Sequence, residues 1–362
     1  MTQPRLQNLQ ALRGIAVLLV LWRHVLLFGE KYARGEMVLP DALKIGDAGV
    51  DLFFVISGFV MTLVSRGRFQ LRGEIASFLY KRFVRVYPLY WIYSLAILAI
   101  YLRWPHLVNS SQDHHVDLLA SFLLLPQDIL PLLGQGWTLE HEIYFYLVFA
   151  LMLLAPERLL PGLLLLWGAL VAFGWNFLSG SEPGQLQAIR HACNPLTLEF
   201  ILGALVGLAI GRGWRRAGFL WLILGYVLLL IGSAVVDPLR FTGLRLFCFG
   251  IPAALMVFGA VALELQDRFR LPHWLGVIGD ASYSLYLSHI LVLSAAGRLW
   301  QALPNLHPGG WDAAGLALLM ILAAMGFGLA SHFLLEKPVL RFLRTRSPRG
   351  LIPAPHSPDL PR

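Results

Sequence analysis

The sequence predicts an all-α integral membrane protein, a bundle of about ten transmembrane helices with both termini in the cytoplasm. Three observations support this fold class. The 362 residues are 57% hydrophobic and only 14% charged, with a mean hydropathy of +0.66, whereas soluble domains carry about 25% charged residues. The apolar residues form runs long enough to cross a bilayer. Lysines and arginines collect between alternate runs, as membrane topology requires.

Ten apolar runs of about 17 to 22 residues are predicted to span the membrane. A shorter apolar stretch around Leu118–Leu133 contains Pro126 and Pro131, and we expect it to be re-entrant or interfacial because it is too short to cross. The segment Glu74–Val86 is amphipathic and is expected to lie along the cytoplasmic interface before the third span. The ten spans lie at about 11–28, 47–65, 87–103, 139–155, 161–178, 195–211, 219–236, 243–263, 275–297 and 313–335.

The placement of basic residues orients the ten spans. With the N-terminus in the cytoplasm, 20 of the 29 lysines and arginines fall on the inner side, 8 on the outer side, and Arg23 within the first span. This excess satisfies the positive-inside rule, and an even number of spans returns the C-terminus to the cytoplasm. Residues 1–342 are therefore predicted to form one transmembrane domain, and residues 343–362 a short, basic, disordered tail.

Composition and missing motifs exclude several functions. The net charge of +8 is spread between hydrophobic runs, so nucleic acid is not an expected partner. The two cysteines, Cys193 and Cys248, are too few for a disulfide framework or a metal cluster, and no metal site is predicted. There is no phosphate-binding Walker loop, no dinucleotide glycine fingerprint and no Gly-x-Ser-x-Gly elbow, which argues against ATP-driven pumps and familiar serine hydrolases.

Arg13 and His24 are the first candidates for chemistry. Eleven residues at about 100° each place them about 20° apart on one helix face, with about 16 Å between them along the axis. Arg13 is expected at the cytoplasmic mouth and His24 inside the membrane. A histidine there is either a general base or a structural residue bonded to a neighbouring helix, and the shared face with Arg13 favours the functional interpretation.

Further candidates lie on other predicted helices. Arg82 and Arg85 share a face and either hold phosphate groups or anchor the chain by the positive-inside rule. Glu142 follows Trp137 in an aromatic-rich helix, where a carboxylate needs a partner or a proton. Asp51, near the outer start of the second span, either pairs with a base or an arginine or belongs to a packing segment, since Ser57 and Gly58 permit close helix approach. Tyr286 and His289, three apart on one face, form a structural pair or line a pocket.

Seven pieces of the chain, in order, resemble the membrane-bound acyltransferase family 3, in particular its bacterial exopolysaccharide O-acetyltransferases. The resemblance covers about residues 6–342. The pieces are Leu9–Gly14 followed by His24, Val50–Phe59, Arg82–Pro88, Gly136–Tyr146, Asn194–Phe200, Gly279–His289 and Leu335–Pro338.

The resemblance implies transfer of an acyl group, usually acetyl from cytoplasmic acetyl-CoA, to a sugar hydroxyl. Arg13 and His24 match the family's Arg-x10-His motif, whose histidine is held to be catalytic. Arg82 and Arg85 match its Arg-x-x-Arg motif. Glu142 matches the glutamate of its Trp-Ser-Leu motif, although Thr138 replaces the serine here.

These matches imply roles for each candidate. His24 would be the general base, with Glu142 or Asp51 orienting its imidazole, and a covalent acyl-histidine intermediate is an open alternative. The three arginines of the two motifs would bind the CoA moiety. Trp137, Tyr286 and His289 are expected to line the substrate pocket.

The resemblance also implies partners and a location. The acceptor would be an exopolysaccharide or another cell-envelope glycan or glycolipid, or else a small glycosylated metabolite. Polysaccharide biosynthesis machinery and membrane lipid are the expected partners, and the bacterial inner membrane is the expected location.

Two other functions compete with the enzyme interpretation. In a proton-coupled transporter, buried histidine and glutamate would relay protons, but the sequence has no internal symmetry. In a structural subunit of a polysaccharide export complex, buried polar residues would only join helices.

Overall fold

A computed structural model describes residues 6–33, 45–109, 112–178, 186–235, 242–303 and 310–345. Within these ranges the chain is helical and contains no β-strand. Two π-helical turns, Leu246–Gly250 and His332–Glu336, interrupt the regular helices. The α-helices are α1 Gln7–Tyr32, α2 Ala48–Ser65, α3 Glu74–Arg103, α4 Leu118–Leu123, α5 Gly136–Met152, α6 Leu160–Leu178, α7 Gln187–Ala192, α8 Leu196–Gly211, α9 Gly218–Val235, α10 Thr242–Arg245, α11 Ile251–Leu265, α12 His273–Asp280, α13 Ser282–Ala302, α14 Gly310–Ser331 and α15 Lys337–Thr345.

Eight helical segments of the described chain are long and apolar enough to cross a membrane, and the bent pair α12–α13 makes up to nine. The two helices of this pair meet at 69°. The fourth predicted span corresponds to α5, which has 17 residues and is about 25 Å long, somewhat shorter than a hydrocarbon core of about 30 Å. The helical membrane fold therefore agrees with the sequence, whereas the count of ten spans and the cytoplasmic termini stay predictions.

Three segments differ in detail from what the sequence suggested. The amphipathic segment 74–86 and the third span form one helix, α3, which continues through Pro88 even though proline removes one intrahelical hydrogen bond. The stretch around 118–133 contains only the six-residue α4, whose first turn is capped by the Asp117 side chain. Helix α15 extends to Thr345, past the predicted boundary at 342, and residues 346–362 of the predicted tail lie outside the described part of the chain.

The described chain divides into two compact units. Of the described residues, the α1 unit comprises those within Leu6–Phe53 and Arg215–Pro338, and the α5 unit comprises those within Phe54–Trp214 and 339–345. In the α1 unit, α1 packs against α11, α12, α13 and α14, while α9 packs against α11. In the α5 unit, α5 packs against α3 and α8, and α6 packs against α8.

Glycines set the closest helix crossings within each unit. A Cβ on Gly279 of α12 would lie 1.8 Å from the Gln10 carbonyl oxygen of α1, and one on Gly14 would lie 2.2 Å from that of Leu275. In the α5 unit, a Cβ on Gly58 would lie 1.9 Å from the carbonyl oxygen of Phe200. Small residues of this kind let helix backbones touch where lipid provides no hydrophobic driving force.

Candidate active site

His24 lies on α1 with its side chain half-buried. Its Nδ1 is 2.9 Å from the carbonyl oxygen of Val20, one turn earlier on the same helix. A carbonyl can only accept, so this contact suits the neutral tautomer in which Nδ1–H donates and Nε2 carries a lone pair. No other described residue hydrogen-bonds His24. The imidazole is thus held by its own helix in the form that can take up a proton.

His289 on α13 contacts His24 directly. The two ring centroids are 4.7 Å apart and the rings meet edge to face at 73°. His289 is 1% exposed, and its Nδ1 lies 2.7 Å from the carbonyl oxygen of Tyr286. Its Nε2 is buried without a hydrogen-bond partner among the described residues. Tyr286 in turn packs against the Phe53 ring, with centroids 6.1 Å apart.

Asp51 pairs with an arginine. It is fully buried, and Arg245 binds it with two parallel hydrogen bonds, from Nε at 2.7 Å and from Nη2 at 2.8 Å. Nη2 of Arg245 also approaches the main-chain oxygen of Asp47 at 3.3 Å. This bidentate geometry is the strong form of an arginine–carboxylate pair, and it uses both carboxylate oxygens of Asp51.

A second ion pair adjoins the first and completes an ion-pair cluster of Arg23, Asp47, Asp51 and Arg245. Nε of Arg23 lies 3.2 and 3.1 Å from the two carboxylate oxygens of Asp47. The two formal positive charges balance the two negative ones. Arg245 was not among the predicted site residues, although an arginine inside the predicted span 243–263 is a signal of function by itself.

Glu142 of α5 is the centre of a polar cluster in the α5 unit. Ser57 donates a hydrogen bond to Glu142 Oε1 at 3.1 Å, and the Tyr146 hydroxyl donates to the same oxygen. The two hydroxyls are 3.4 Å apart. Glu142 is half-buried, and these donors supply the partners that a carboxylate in an apolar helix needs.

Arg82 joins this cluster from α3. Its guanidinium lies 5.7 Å from the ring centroids of both Tyr146 and Phe78, and its Nε is buried without a hydrogen-bond partner in the described part of the chain. Arg85, three residues later on α3, is half-buried as well. Two guanidinium groups one turn apart can bind phosphate oxygens.

Trp137 lies at the start of α5, half-buried, with its ring edge-on to His141 at a centroid distance of 6.2 Å. His141 stacks on His191 with centroids 4.0 Å apart and planes within 6°. Glu140 accepts a hydrogen bond from Gln127 at 2.8 Å. The sequence did not single out His191, because nothing local to α7 indicates that it lies against α5.

The predicted site residues therefore fall into one group in each unit. The group in the α1 unit consists of Arg13, His24, Asp51, Tyr286 and His289. Arg13 lies on α1 about 16 Å along the helix axis from His24, and its Nη1 is 3.5 Å from Gln10 Oε1. Glu142, Arg82, Arg85 and Trp137 belong to the α5 unit. In the described chain, no three histidine, cysteine, aspartate or glutamate side chains form a metal-binding group. The available chemistry is that of a base, a hydrogen-bonded carboxylate and guanidinium groups.

Comparisons with known proteins identify the family of the chain. The acyltransferase 3 family profile, described as an acyltransferase domain, matches residues 6–335. An exopolysaccharide production protein, ExoZ, of Rhizobium meliloti is 34% identical over 318 residues, which cover 83% of this chain and 92% of that protein. An acyltransferase, MdmB, of Streptomyces mycarofaciens is 29% identical and covers 99% of this chain and 97% of its own length. No solved structure matches the chain.

Proposed function

Because the chain belongs to the acyltransferase 3 family and is an O-acyltransferase, we propose that it moves an acetyl group from cytoplasmic acetyl-CoA to a sugar hydroxyl of a cell-envelope glycan. The proposed location is the bacterial inner membrane, with ten spans and both termini in the cytoplasm. The balance of lysines and arginines between the two sides supports this orientation.

The geometry of His24 carries the proposal. Its Nδ1 is engaged by the Val20 carbonyl, so Nε2 is the atom that can act as base. In the proposed step, Nε2 takes the proton of the acceptor hydroxyl while the hydroxyl oxygen forms a bond to the thioester carbonyl carbon. The carbon–sulfur bond then breaks, and the departing thiolate takes the proton from His24. The products are the acetyl ester and CoA, and His24 returns to its neutral form.

A covalent alternative uses the same atom. Nε2 of His24 would attack the thioester and carry the acetyl group before passing it to the sugar. We favour direct transfer because a single base on α1 is enough for it. Acid quenching of the enzyme with labelled acetyl-CoA in the absence of acceptor would separate the two routes, since only the covalent route leaves label on His24.

The arginines are proposed to bind the donor. CoA carries a 3′-phosphate and a pyrophosphate, and Arg82 and Arg85 lie one turn apart on α3, a spacing that suits oxyanions. The Arg82 Nε has no partner in the described chain and is available to a phosphate oxygen. Arg13 is proposed to hold a further phosphate or to guide the pantetheine arm.

The two candidate carboxylates are proposed to act differently. Both oxygens of Asp51 are taken by Arg245, so Asp51 is proposed to hold the α1 unit in shape rather than to touch the imidazole. Glu142 has one oxygen, Oε1, engaged by two hydroxyls. Its carboxylate is proposed to polarise a substrate group within the α5 unit. Trp137 is proposed to form a wall of the acceptor pocket in the same unit.

The names of the relatives support an acceptor class. ExoZ is named for exopolysaccharide production, which supports an exopolysaccharide or its lipid-linked precursor as acceptor, with the polysaccharide biosynthesis machinery as partner. A small glycosylated metabolite is the alternative acceptor.

Labelled acetyl-CoA tests donor and acceptor together. Purified wild-type protein in lipid nanodiscs would be incubated with [14C]acetyl-CoA and with glycolipid from cells that lack the gene. We expect label to enter the glycolipid as an alkali-labile ester, and mass spectrometry of the cell's glycans to show acetyl groups that depend on the gene. The proposal would be contradicted if no glycan fraction became labelled, or if no CoA thioester served as the donor.

A further inference from the structure

We propose that His289 is the positioning residue that stabilises the His24 imidazolium formed during transfer. This inference rests on the proposed function, in which His24 takes up a proton. It adds a residue that acts through the base and gives a role to the contact between the two rings.

The hydrogen bonds of His289 leave it one unused acceptor. Nδ1 lies 2.7 Å from the Tyr286 carbonyl oxygen, so Nδ1 must carry the hydrogen and Nε2 must carry a lone pair. Nε2 is buried without a partner among the described residues, and His289 is 1% exposed. A buried acceptor without a donor costs free energy. A positive charge that forms beside it only during the reaction would explain why this acceptor is kept.

His24 can supply that charge. In its neutral form it has one N–H, which is held by Val20. After it takes the acceptor proton it has a second N–H, on Nε2, and a positive charge. The edge-to-face contact at 4.7 Å places the neutral ring of His289 beside this charge. The new N–H stays directed at the reacting groups, and the buried lone pair of His289 is proposed to attract the positive charge until the thiolate removes the proton.

The nearby carboxylates are already in use. In a serine-protease triad, an aspartate stabilises the histidine cation. Here Arg23 holds Asp47, and Arg245 holds Asp51. Because the ion-pair cluster is balanced in charge, Asp47 and Asp51 act on the imidazolium together with the arginines that offset them, and the neutral ring of His289 is proposed to add to this stabilisation.

Helix α13, which carries His289, is also held by hydrogen bonds from a second residue, Ser284. Ser284, also on α13, donates a hydrogen bond to Glu336 Oε2 at 2.7 Å, and the same oxygen is 2.8 Å from Nδ1 of His332. All three side chains are buried. These contacts fix α13 to the π-helical turn at 332–336, so the position of the His289 ring is defined before substrate binds.

Two substitutions at one position separate stabilisation from packing. His289→Phe keeps an aromatic ring against His24 but has no lone pair, whereas His289→Gln keeps an acceptor oxygen. Losing a preorganised polar group that faces a charge formed during the reaction slows turnover by about 10-fold. We therefore expect kcat of His289→Phe to fall by about that factor with an unchanged KM for acetyl-CoA, and His289→Gln to recover part of the loss.

Ser288→Ala is the matched control. Ser288 is the buried neighbour of His289 on α13, and among the described residues its hydroxyl bonds only the Leu285 carbonyl of its own helix. This variant should therefore turn over like the wild type. Wild-type kcat in His289→Phe would overturn the inference. If the Phe variant does not fold, His289→Gln is compared with His289→Ala, and equal rates would overturn it. If the wild-type protein showed no turnover with acetyl-CoA, this result would refute the proposed function, and the inference that rests on it would fall as well.

Discussion

Replacing Gly279 by alanine is expected to force α1 and α12 apart. A Cβ at this position would lie 1.8 Å from the Gln10 carbonyl oxygen, and ordinary contacts begin at 3.4 Å, so the helices must separate by about 1.6 Å. The obstacle is backbone, which cannot rotate away as a side chain can. Overpacking of this kind costs about 1–3 kcal/mol or more. Because His24 is carried by α1, a displacement of this size is also expected to lower kcat by about 100-fold.

Gly276 provides the matched control on the same helix. A Cβ there would meet nothing within 4 Å, and alanine has a higher helix propensity than glycine by about 1 kcal/mol. Thermal unfolding in detergent, followed by size-exclusion chromatography, should give a lower Tm for Gly279→Ala and an equal or higher Tm for Gly276→Ala. Initial rates of acyl transfer should follow the same order. If both variants matched the wild type in Tm and in rate, the close crossing of α1 and α12 would be refuted.

Two further predictions concern the polar clusters. Asp51→Asn is expected to destabilise the protein by about 3–5 kcal/mol because it leaves the buried Arg245 guanidinium without its carboxylate. The double variant Asp51→Arg with Arg245→Asp, which exchanges the two residues, should recover part of the lost Tm. A wild-type Tm for Asp51→Asn would contradict this prediction. Tyr146→Phe removes one of two hydroxyl donors to Glu142 and is expected to lower kcat by about 5- to 20-fold. Tyr226→Phe, on an exposed tyrosine of α9, is its control, and equal initial rates for both variants would count against a role for that hydrogen bond.

Hydropathy predicted the membrane class and most of the helices because lipid imposes long apolar runs on each segment separately. The periodicity of one helix also sufficed to place Arg13 and His24 on a common face. Neither hydropathy nor periodicity could show that α5 is shorter than a typical membrane span. Nor could they show that α12 and α13 meet at 69°. Those features depend on where neighbouring helices stop and turn.

The contacts between helices were the harder part of the site. Asp51 was expected to pair with a base or an arginine, and the choice of Arg245, 194 residues away, is decided by tertiary packing. The same holds for Ser57 and Glu142, which are 85 residues apart. His24 and His289 each had a local signal, but their ring contact depends on the close crossing of α1, α12 and α13, which helix periodicity alone does not specify.

Acetyl-CoA binding and turnover measured on one preparation of His24→Ala test the central claim most directly. Calorimetry reports binding, and release of CoA thiol in the presence of acceptor reports turnover. His273→Ala, which removes an exposed histidine of α12, is the control and should behave like the wild type. If His24 is the base, His24→Ala binds acetyl-CoA with wild-type affinity and loses at least about 100-fold in kcat. Wild-type turnover by His24→Ala would contradict the account.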